Sequence, residues 1–459
     1  MPDLLPDLLP NQLAAKLWLS QEKDRDSSGH AFLVMDMGLG KTATAIAHAK
    51  EHNPTTLLII VPAGLRIHWA REFALFWPGH PELELVLSST QRIGPASVIV
   101  VNYDLLVYPT ILNQLRTREW AMLVCDESQM ANNVETKRGA AILGRDGLAK
   151  RSGQVICLSG TPAPNHVGEL HGWFSALVPH LLKGSKQWPD VTSYYSFLTR
   201  YAKFKVGQYG ITVLGSRNAN EFRRRFSGVI LRQRKSEVMK DLPPLRMGTV
   251  TLEADDLGEL QALLEHPDYA GLVLAMANLR TDAPDAMARL RDALGSTHLA
   301  TLRRLIAIHK IDPVARLIRE ELVGGENKLV VFAHHRQLLE GLHALLYSYG
   351  LSPCMVHGGV PPRERQRQVD HFQNFKRCRV FLGQLDAAGV GYTLTAASDV
   401  LLAEASWSPS KNLQAINRVS RIGQKNACLA RFVSLAGSVD EIVNMVQLRK
   451  LDALNSLLL

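Results

Sequence analysis

Residues 31–43 read Ala31-Phe32-Leu33-Val34-Met35-Asp36-Met37-Gly38-Leu39-Gly40-Lys41-Thr42-Ala43, and this stretch decides the fold. An unbroken apolar run of this length reads as a strand buried on both faces, as in a parallel sheet covered by helices. At Asp36 the run gives way to a loop whose two glycines let backbone N–H groups approach phosphate oxygens. A small-residue helix then follows, and its N-terminus favours an anion. Lys41 can reach terminal phosphates, and Thr42 can ligand Mg²⁺. Met35 stands where the longer form of such loops has a leading glycine, so the match is Gly-x-Gly-Lys-Thr between strand and helix.

Working outward, further apolar runs at 56–61, 98–101, 122–125 and 155–158 predict companion strands. A second set at 328–333, 352–357, 379–382, 399–403 and 430–434 predicts a second α/β lobe. Residues 253–322 are rich in Leu, Ala and Arg at helical spacing, and no sheet is expected there. The expected division is a first lobe over 1–247, a helical insertion or connector over 248–307, and a second lobe over 308–459. Leu181 to Arg217 is crowded with aromatics and is expected to be a helical protrusion, while 438–459 is amphipathic and is expected to brace the lobes.

The composition, 46% hydrophobic and 21% charged, excludes a disordered chain. Lys and Arg exceed Asp and Glu by 52 to 43, which favours a polyanionic partner. The five cysteines form no CxxC pair, so neither a zinc module nor a disulfide framework is expected, and a reducing cytoplasm is the natural setting. Met1–Pro10 carries no basic signal-peptide start and no apolar run reaches membrane length, so no membrane association is expected. His334 and His335 are adjacent on a predicted strand and point to opposite faces, which argues against a metal site there.

Three further constellations carry chemistry. Val124-Cys125-Asp126-Glu127 ends a predicted strand, where Asp126 can hold Mg²⁺ and Glu127 can orient or deprotonate the attacking water. Ser159-Gly160-Thr161-Pro162 follows the next strand, and its hydroxyls could sense nucleotide or touch a nucleic-acid phosphate. Arg418 and Arg421 lie three apart, so a helix would present both on one face, and a guanidinium suits a transferring phosphate. The basic run over 221–240 suits either phosphate tracking or internal packing.

In this order, these elements resemble the motifs of the SNF2 family of superfamily 2 helicase-like ATPases, across nearly the whole chain. The matching pieces include Leu9-Pro10-Asn11-Gln12, the loop Met37–Thr42, Trp69, Asn102-Tyr103, Asp126-Glu127 and Ser159–Pro162. The most discriminating are Leu231-Arg232-Gln233-Arg234-Lys235-Ser236-Glu237-Val238 and Arg421-Ile422-Gly423-Gln424. The resemblance implies two RecA-like lobes, with parallel sheets flanked by helices and helical insertions between them.

It also implies that Gln12 reads adenine, that Met37, Gly38, Leu39, Gly40, Lys41 and Thr42 cradle the phosphates of ATP, and that Thr42 and Asp126 hold Mg²⁺. Lys41, Asp126, Glu127, Arg418 and Arg421 would be catalytic, the two arginines acting as fingers, and Gln129, Gly389 and Gly391 would contact or couple to the nucleotide. DNA would be met by Trp69, Asn102, Tyr103, Thr161, His334 and Trp407. Gln129 stands where the family has His, and Thr393, Ser408, Asn417 and Ser420 also depart from the usual pattern.

Ser159–Ala163, Phe332–His335 and Ala403–Trp407 are most similar to the distant branch that contains annealing helicases. The accessory modules of the eukaryotic members find no room here, so a stand-alone bacterial or phage motor is expected, one that hydrolyses ATP to translocate on double-stranded or branched DNA and reanneals strands. A strand-separating DNA or RNA helicase, and a slow ATP-gated DNA-binding switch, are the competing expectations.

Overall fold

A computed structural model describes residues 7–21, 26, 28–163, 166–207, 210–239, 243–264, 301–322, 327–388, 392–406, 409–445 and 447–448 of the chain. Gly389, Gly391, Trp407 and Ser408 lie outside the described residues, as do most of the expected connector and the end of the expected brace. The chain divides into two compact units, Met1–Lys240 and Asp241–Leu459.

The first unit is built on a parallel sheet of β1 (Ala31–Met35), β2 (Leu57–Val61), β3 (Leu83–Leu85), β4 (Val98–Asn102), β5 (Trp120–Asp126), β6 (Ser152–Ser159) and β9 (Ile230–Gln233). Their order is β3-β4-β2-β5-β6-β1-β9. The strands β1, β2 and β4 are buried along their whole length, as their unbroken apolar sequences require. Helices α1 (Pro10–Ser20), α2 (Lys41–His52) and α3 (Arg66–Phe76) belong to this unit. The glycine loop follows β1, and the Asp126-Glu127 pair stands at the end of β5; β6 lies between those two strands.

Two strands of this sheet escaped the sequence reading for a common reason. β3 is three residues long and β9 carries Arg232 and Gln233; both sit at sheet edges, where an uninterrupted apolar run is not needed.

The expected helical protrusion over 181–217 is corrected in part. It contains the helix Tyr194–Tyr201 and then an antiparallel ribbon of β7 (Ala202–Gly207) and β8 (Gly210–Ser216). Its aromatics are also partly core. Phe197 and Tyr201 are fully buried in a ring cluster with Phe174 and Phe226, the latter two stacked at 4.4 Å between centroids. Arg225 explains part of the basic run: only 5% exposed, it donates to the carbonyls of Leu181 (2.6 Å), Pro189 (2.9 Å) and Lys183 (3.1 Å), so it pins this segment from within.

The second unit holds a six-stranded parallel sheet, ordered β10-β15-β14-β11-β13-β12. Its strands are β10 (Leu245–Leu252), β11 (Leu329–Ala333), β12 (Cys354–Val356), β13 (Val380–Gln384), β14 (Asp399–Leu402) and β15 (Cys428–Leu435). The expected lobe boundary at 247/248 therefore moves. β10 straddles it and pairs with β15 from Leu245↔Cys428 to Leu252↔Leu435. Its alternating, half-exposed pattern is that of an edge strand, and a scan for buried apolar runs passes over it. Over the described part of 253–322 the chain is helical or coil, with no strand, as expected. Val439 and Val443 lie in the helical stretch 439–445 and pack with Leu260, Leu302 and Ile306 of the same unit.

Candidate nucleotide site

Lys41 and Thr42 open α2, and Gly40 caps it in the left-handed region at φ 85°, with Gly38 at φ 83°. Gly40 is required by its surroundings as well. A Cβ there would lie 2.1 Å from Gln12 Nε2, because Gln12 and Asn11 of α1 fold over the loop and both donate to Leu39 O, at 3.4 and 3.1 Å. Gln12 is 6% exposed and its Oε1 accepts from Leu9 N, so its amide braces the loop against the start of α1. The Lys41 ammonium donates to Met35 O at 2.8 Å, placing it at the end of β1.

The loop is also held from β9. Arg232 donates to Asp36 Oδ1 at 3.0 Å and to Gly160 O at 3.2 Å, and the Lys235 N–H reaches Asp36 Oδ2 at 3.0 Å. One guanidinium thus ties the first residue of the phosphate loop to the Ser159–Pro162 turn. Asp36 was not singled out in the sequence, although its place directly after an apolar strand and before two glycines is a usable signal.

Asp126 is 5% exposed at the end of β5. The Trp69 indole donates to its Oδ2 at 2.9 Å, the Glu127 N–H meets its Oδ1 at 3.0 Å, and the Tyr103 hydroxyl donates to its main-chain oxygen at 2.8 Å. This corrects the DNA-contact reading of three residues. Trp69, Asn102 and Tyr103 are 1%, 4% and 0% exposed, and two of them hold Asp126 from the interior. An indole beside a buried carboxylate finds its hydrogen bond there, which leaves no face for a duplex.

Glu127 adopts a left-handed conformation at φ 51°. Its Oε2 accepts from Gln129 Nε2 at 2.7 Å, Gln129 Oε1 accepts from the Ser159 hydroxyl at 2.7 Å, and Ser159 Oγ accepts from the Thr161 N–H at 3.0 Å. An unbroken hydrogen-bonded chain therefore runs from the acidic pair to the Ser159–Pro162 turn. Asn132 adds a second tie to that turn, donating to Pro162 O at 2.8 Å while accepting from the Trp173 indole at 3.0 Å. Thr161 Oγ1 is buried with no hydrogen-bond partner among the described residues, so a donor or acceptor at this turn remains available to a bound group. The donor set, a glycine loop with an ammonium facing a buried carboxylate, fits a nucleotide phosphate chain with Mg²⁺.

Burial pushes the Asp126 carboxyl up to about 6, and the Glu127 charge adds to it; the Trp69 indole and the Lys41 ammonium pull the other way. Because the folded value lies above the ordinary 3.8, the nucleotide-free protein gains stability from this group as pH falls through about 6, a gain complete below 3.8. Were Asp126 to hold Mg²⁺ it would do so as the carboxylate, so Mg²⁺-nucleotide affinity should then fall over the same acid limb, and saturating Mg²⁺ should move the limb to lower pH. Trp69→Phe removes the indole donor and should shift the limb upward; nucleotide affinity measured from pH 5 to 8 in both proteins checks this. An unmoved limb would show that the Trp69 indole does not set the Asp126 carboxyl.

In the second unit, the arginine pair departs from the expected geometry. The helix Pro409–Ile416 ends before Arg418, and Arg418 and Arg421 lie on successive turns rather than on one helical face. Leu394 N donates to Arg418 O at 2.9 Å, and Arg421 Nη1 reaches Tyr392 O at 3.4 Å. Gln424, 7% exposed, donates to Ala397 O at 2.6 Å and accepts from Lys425 N and Asn426 N, both at 2.9 Å, which pins the turn. His334 is half-buried beside Glu404, whose Oε2 accepts the N–H groups of both His334 (3.1 Å) and His335 (2.8 Å). Burial pushes the Glu404 carboxyl up, but the His335 hydrogen bond and charge outweigh it and leave the carboxyl below its usual value.

The SNF2-related domain matches residues 11–260, more than half of the sequence. The chain belongs to the SNF2-related domain family. The helicase conserved C-terminal domain matches residues 309–423 of this SNF2-related chain. Among curated proteins, DNA annealing helicase and endonuclease ZRANB3 of Mus musculus is 29% identical, over 98% of this chain and 42% of that protein. The SWI/SNF-related matrix-associated actin-dependent regulator of chromatin subfamily A-like protein 1 homolog of Caenorhabditis elegans is 28% identical, over 99% of this chain and 62% of that protein. The SNF2-related chain thus spans from about two fifths to three fifths of the length of these relatives. Among solved structures, the Sulfolobus solfataricus SWI2/SNF2 ATPase core in complex with dsDNA is 22% identical, with a TM-score of 0.44, covering 96% of this chain and 91% of that one.

Proposed function

We propose that this SNF2-related chain is a Mg²⁺- and ATP-dependent motor that translocates on double-stranded or branched DNA and reanneals strands. The observation that carries the reading is the hydrogen-bonded chain from Glu127 through Gln129 and Ser159 to Thr161, because a motor must tell its DNA-facing turns whether the nucleotide has been cleaved. Similarity to a DNA annealing helicase and endonuclease supports the choice of DNA and of annealing. The net charge of +9 suits a phosphate backbone.

In this proposal the N–H groups of Met37 to Thr42 and the Lys41 ammonium bind phosphates, Gln12 lies at the base, and Thr42 and Asp126 hold Mg²⁺. When bound, Mg²⁺ neutralises phosphate charge. Glu127 takes the proton of the attacking water, and Gln129 orients the Glu127 carboxylate. Arg418 and Arg421 of the second unit supply positive charge to the transferring phosphate, and Thr161, His334 and Trp407 are the remaining candidates for DNA contact. The two units serve as RecA-like lobes. The cytoplasm of a bacterium or a phage-infected cell is the proposed setting, supported by five buried cysteines; among the described residues no helix is long and apolar enough to cross a membrane.

Steady-state ATP hydrolysis at low salt, without nucleic acid and with single-stranded DNA, duplex DNA, forked DNA or duplex RNA, tests the proposal. Duplex or forked DNA should stimulate most. Stronger stimulation by single strands or RNA would instead support a strand-separating helicase, and no stimulation would leave an ATP-gated binding switch.

A further inference from the structure

Cys354, His371 and Cys378 are separated by sixteen and six residues, which hides them from any spacing rule, yet the second unit brings them together from three elements. Cys354 opens β12, the edge strand. Cys378 lies just before β13, which pairs with β12, and His371 stands in the last turn of the helix Pro362–Asn374. One ligand atom from each, the two sulfurs and an imidazole nitrogen, lies within 4.8 Å of the others. The cysteines are 2% and 1% exposed, whereas His371 is exposed and stacks on Phe375 at 4.3 Å between centroids.

The sulfurs are 2.7 Å apart, closer than two neutral thiols rest comfortably. Two arrangements relieve that crowding. Oxidation would close the pair to about 2.05 Å. A tetrahedral cation with sulfur bonds of about 2.3 Å would instead part it to roughly 3.7 Å, a thiol rotation's worth of movement.

The surroundings favour the cation. The Lys328 ammonium is fixed by Phe375 O at 2.8 Å and by Phe372 O, and it interacts electrostatically with both sulfurs, which helps them carry negative charge. A third soft-to-borderline donor, the imidazole, converges on the same point, which a disulfide does not need. A cavity of about 540 Å³ opens beside the cluster, lined among others by Cys354, Glu364, Asp370 and His371, and gives room for a fourth oxygen ligand.

We propose that Cys354, Cys378 and His371 form a site for a divalent cation of the zinc class, completed by water or a carboxylate from the cavity. The expectation that the cysteines build no zinc site is thereby replaced, because that expectation rested on sequence spacing alone. The cation would bind as a clip, fastening the helix Pro362–Asn374 to β12 and β13 at the sheet edge, where a three-residue strand has little pairing of its own.

The full chain, reduced and freed of metal by a chelator, is titrated with Co²⁺ and then with Zn²⁺. The expected result is one equivalent of tetrahedral, thiolate-ligated Co²⁺ by its absorption bands, displaced by Zn²⁺, with a rise in melting temperature. His371→Ala should lower affinity at least about 100-fold, since even the outer partners of a metal cost 10–100-fold. His371 is exposed, so that variant should fold; Cys378→Ser should abolish the thiolate band, and Cys428→Ser should leave it intact. Absence of the band in the full chain overturns the proposal. So does an affinity unchanged by His371→Ala, or loss of two titratable thiols to a disulfide under conditions where Co²⁺ fails to bind.

Discussion

Glu127→Gln should stop ATP hydrolysis, lowering kcat by about 10³-fold, while nucleotide affinity stays within a few-fold of the parent. The substitution keeps size and shape, and the new side-chain carbonyl can still accept the Gln129 Nε2 hydrogen bond now made at 2.7 Å. What disappears is the negative charge that orients and deprotonates water, a contribution worth roughly 10²–10⁴-fold. A second readout separates this from misfolding. Glu127 is one of the charges that raise the Asp126 carboxyl, so its removal should shift the acid limb of Mg²⁺-nucleotide binding to lower pH. Turnover at the parent rate would remove Glu127 from catalysis and overturn the site assignment.

Arg421→Ala should leave nucleotide binding nearly intact and slow hydrolysis on the order of 10³-fold or more, the scale of a guanidinium that meets transition-state charge. Arg421 sits on a turn rather than on a helical face, which sharpens the expectation. The Gln424 side chain holds the turn by donating to Ala397 O and accepting from Lys425 N, and Gly423 at φ 94° permits its shape, so the guanidinium departs from a fixed base. Single-turnover hydrolysis with pre-bound ATP checks this directly. An unchanged rate would give the Arg421–Gln424 segment a structural role only.

The central strands and the glycine loop were legible because burial on both faces leaves an uninterrupted apolar signature, and because left-handed turns at Gly38 and Gly40 demand glycine. The edge strands β3, β9 and β10 were not. β9 spends Arg232 and Gln233 on bracing Asp36 and α1, and β10 exposes alternate residues, so neither reads as a buried run. The acidic pair stands where its sequence placed it, at the end of β5. Trp69 and Tyr103 were misplaced because an aromatic with a polar tip serves a buried carboxylate as readily as a nucleic acid, and sequence does not distinguish the two. The arginine spacing failed for a different reason: a three-residue interval implies a common face only inside a helix, and the helix ends at Ile416.

The amide at position 129 has a consequence for how the protein behaves across cellular acidity. An imidazole in its place would gain or lose a proton near neutrality and would switch its hydrogen-bonding sense as it did so. The carboxamide cannot. With Nε2 committed to Glu127 and Oε1 to Ser159, its polarity is set once. The Gln129 step between the acidic pair and the turn is therefore proton-silent, its hydrogen-bonding sense the same in mildly acidic and mildly alkaline surroundings.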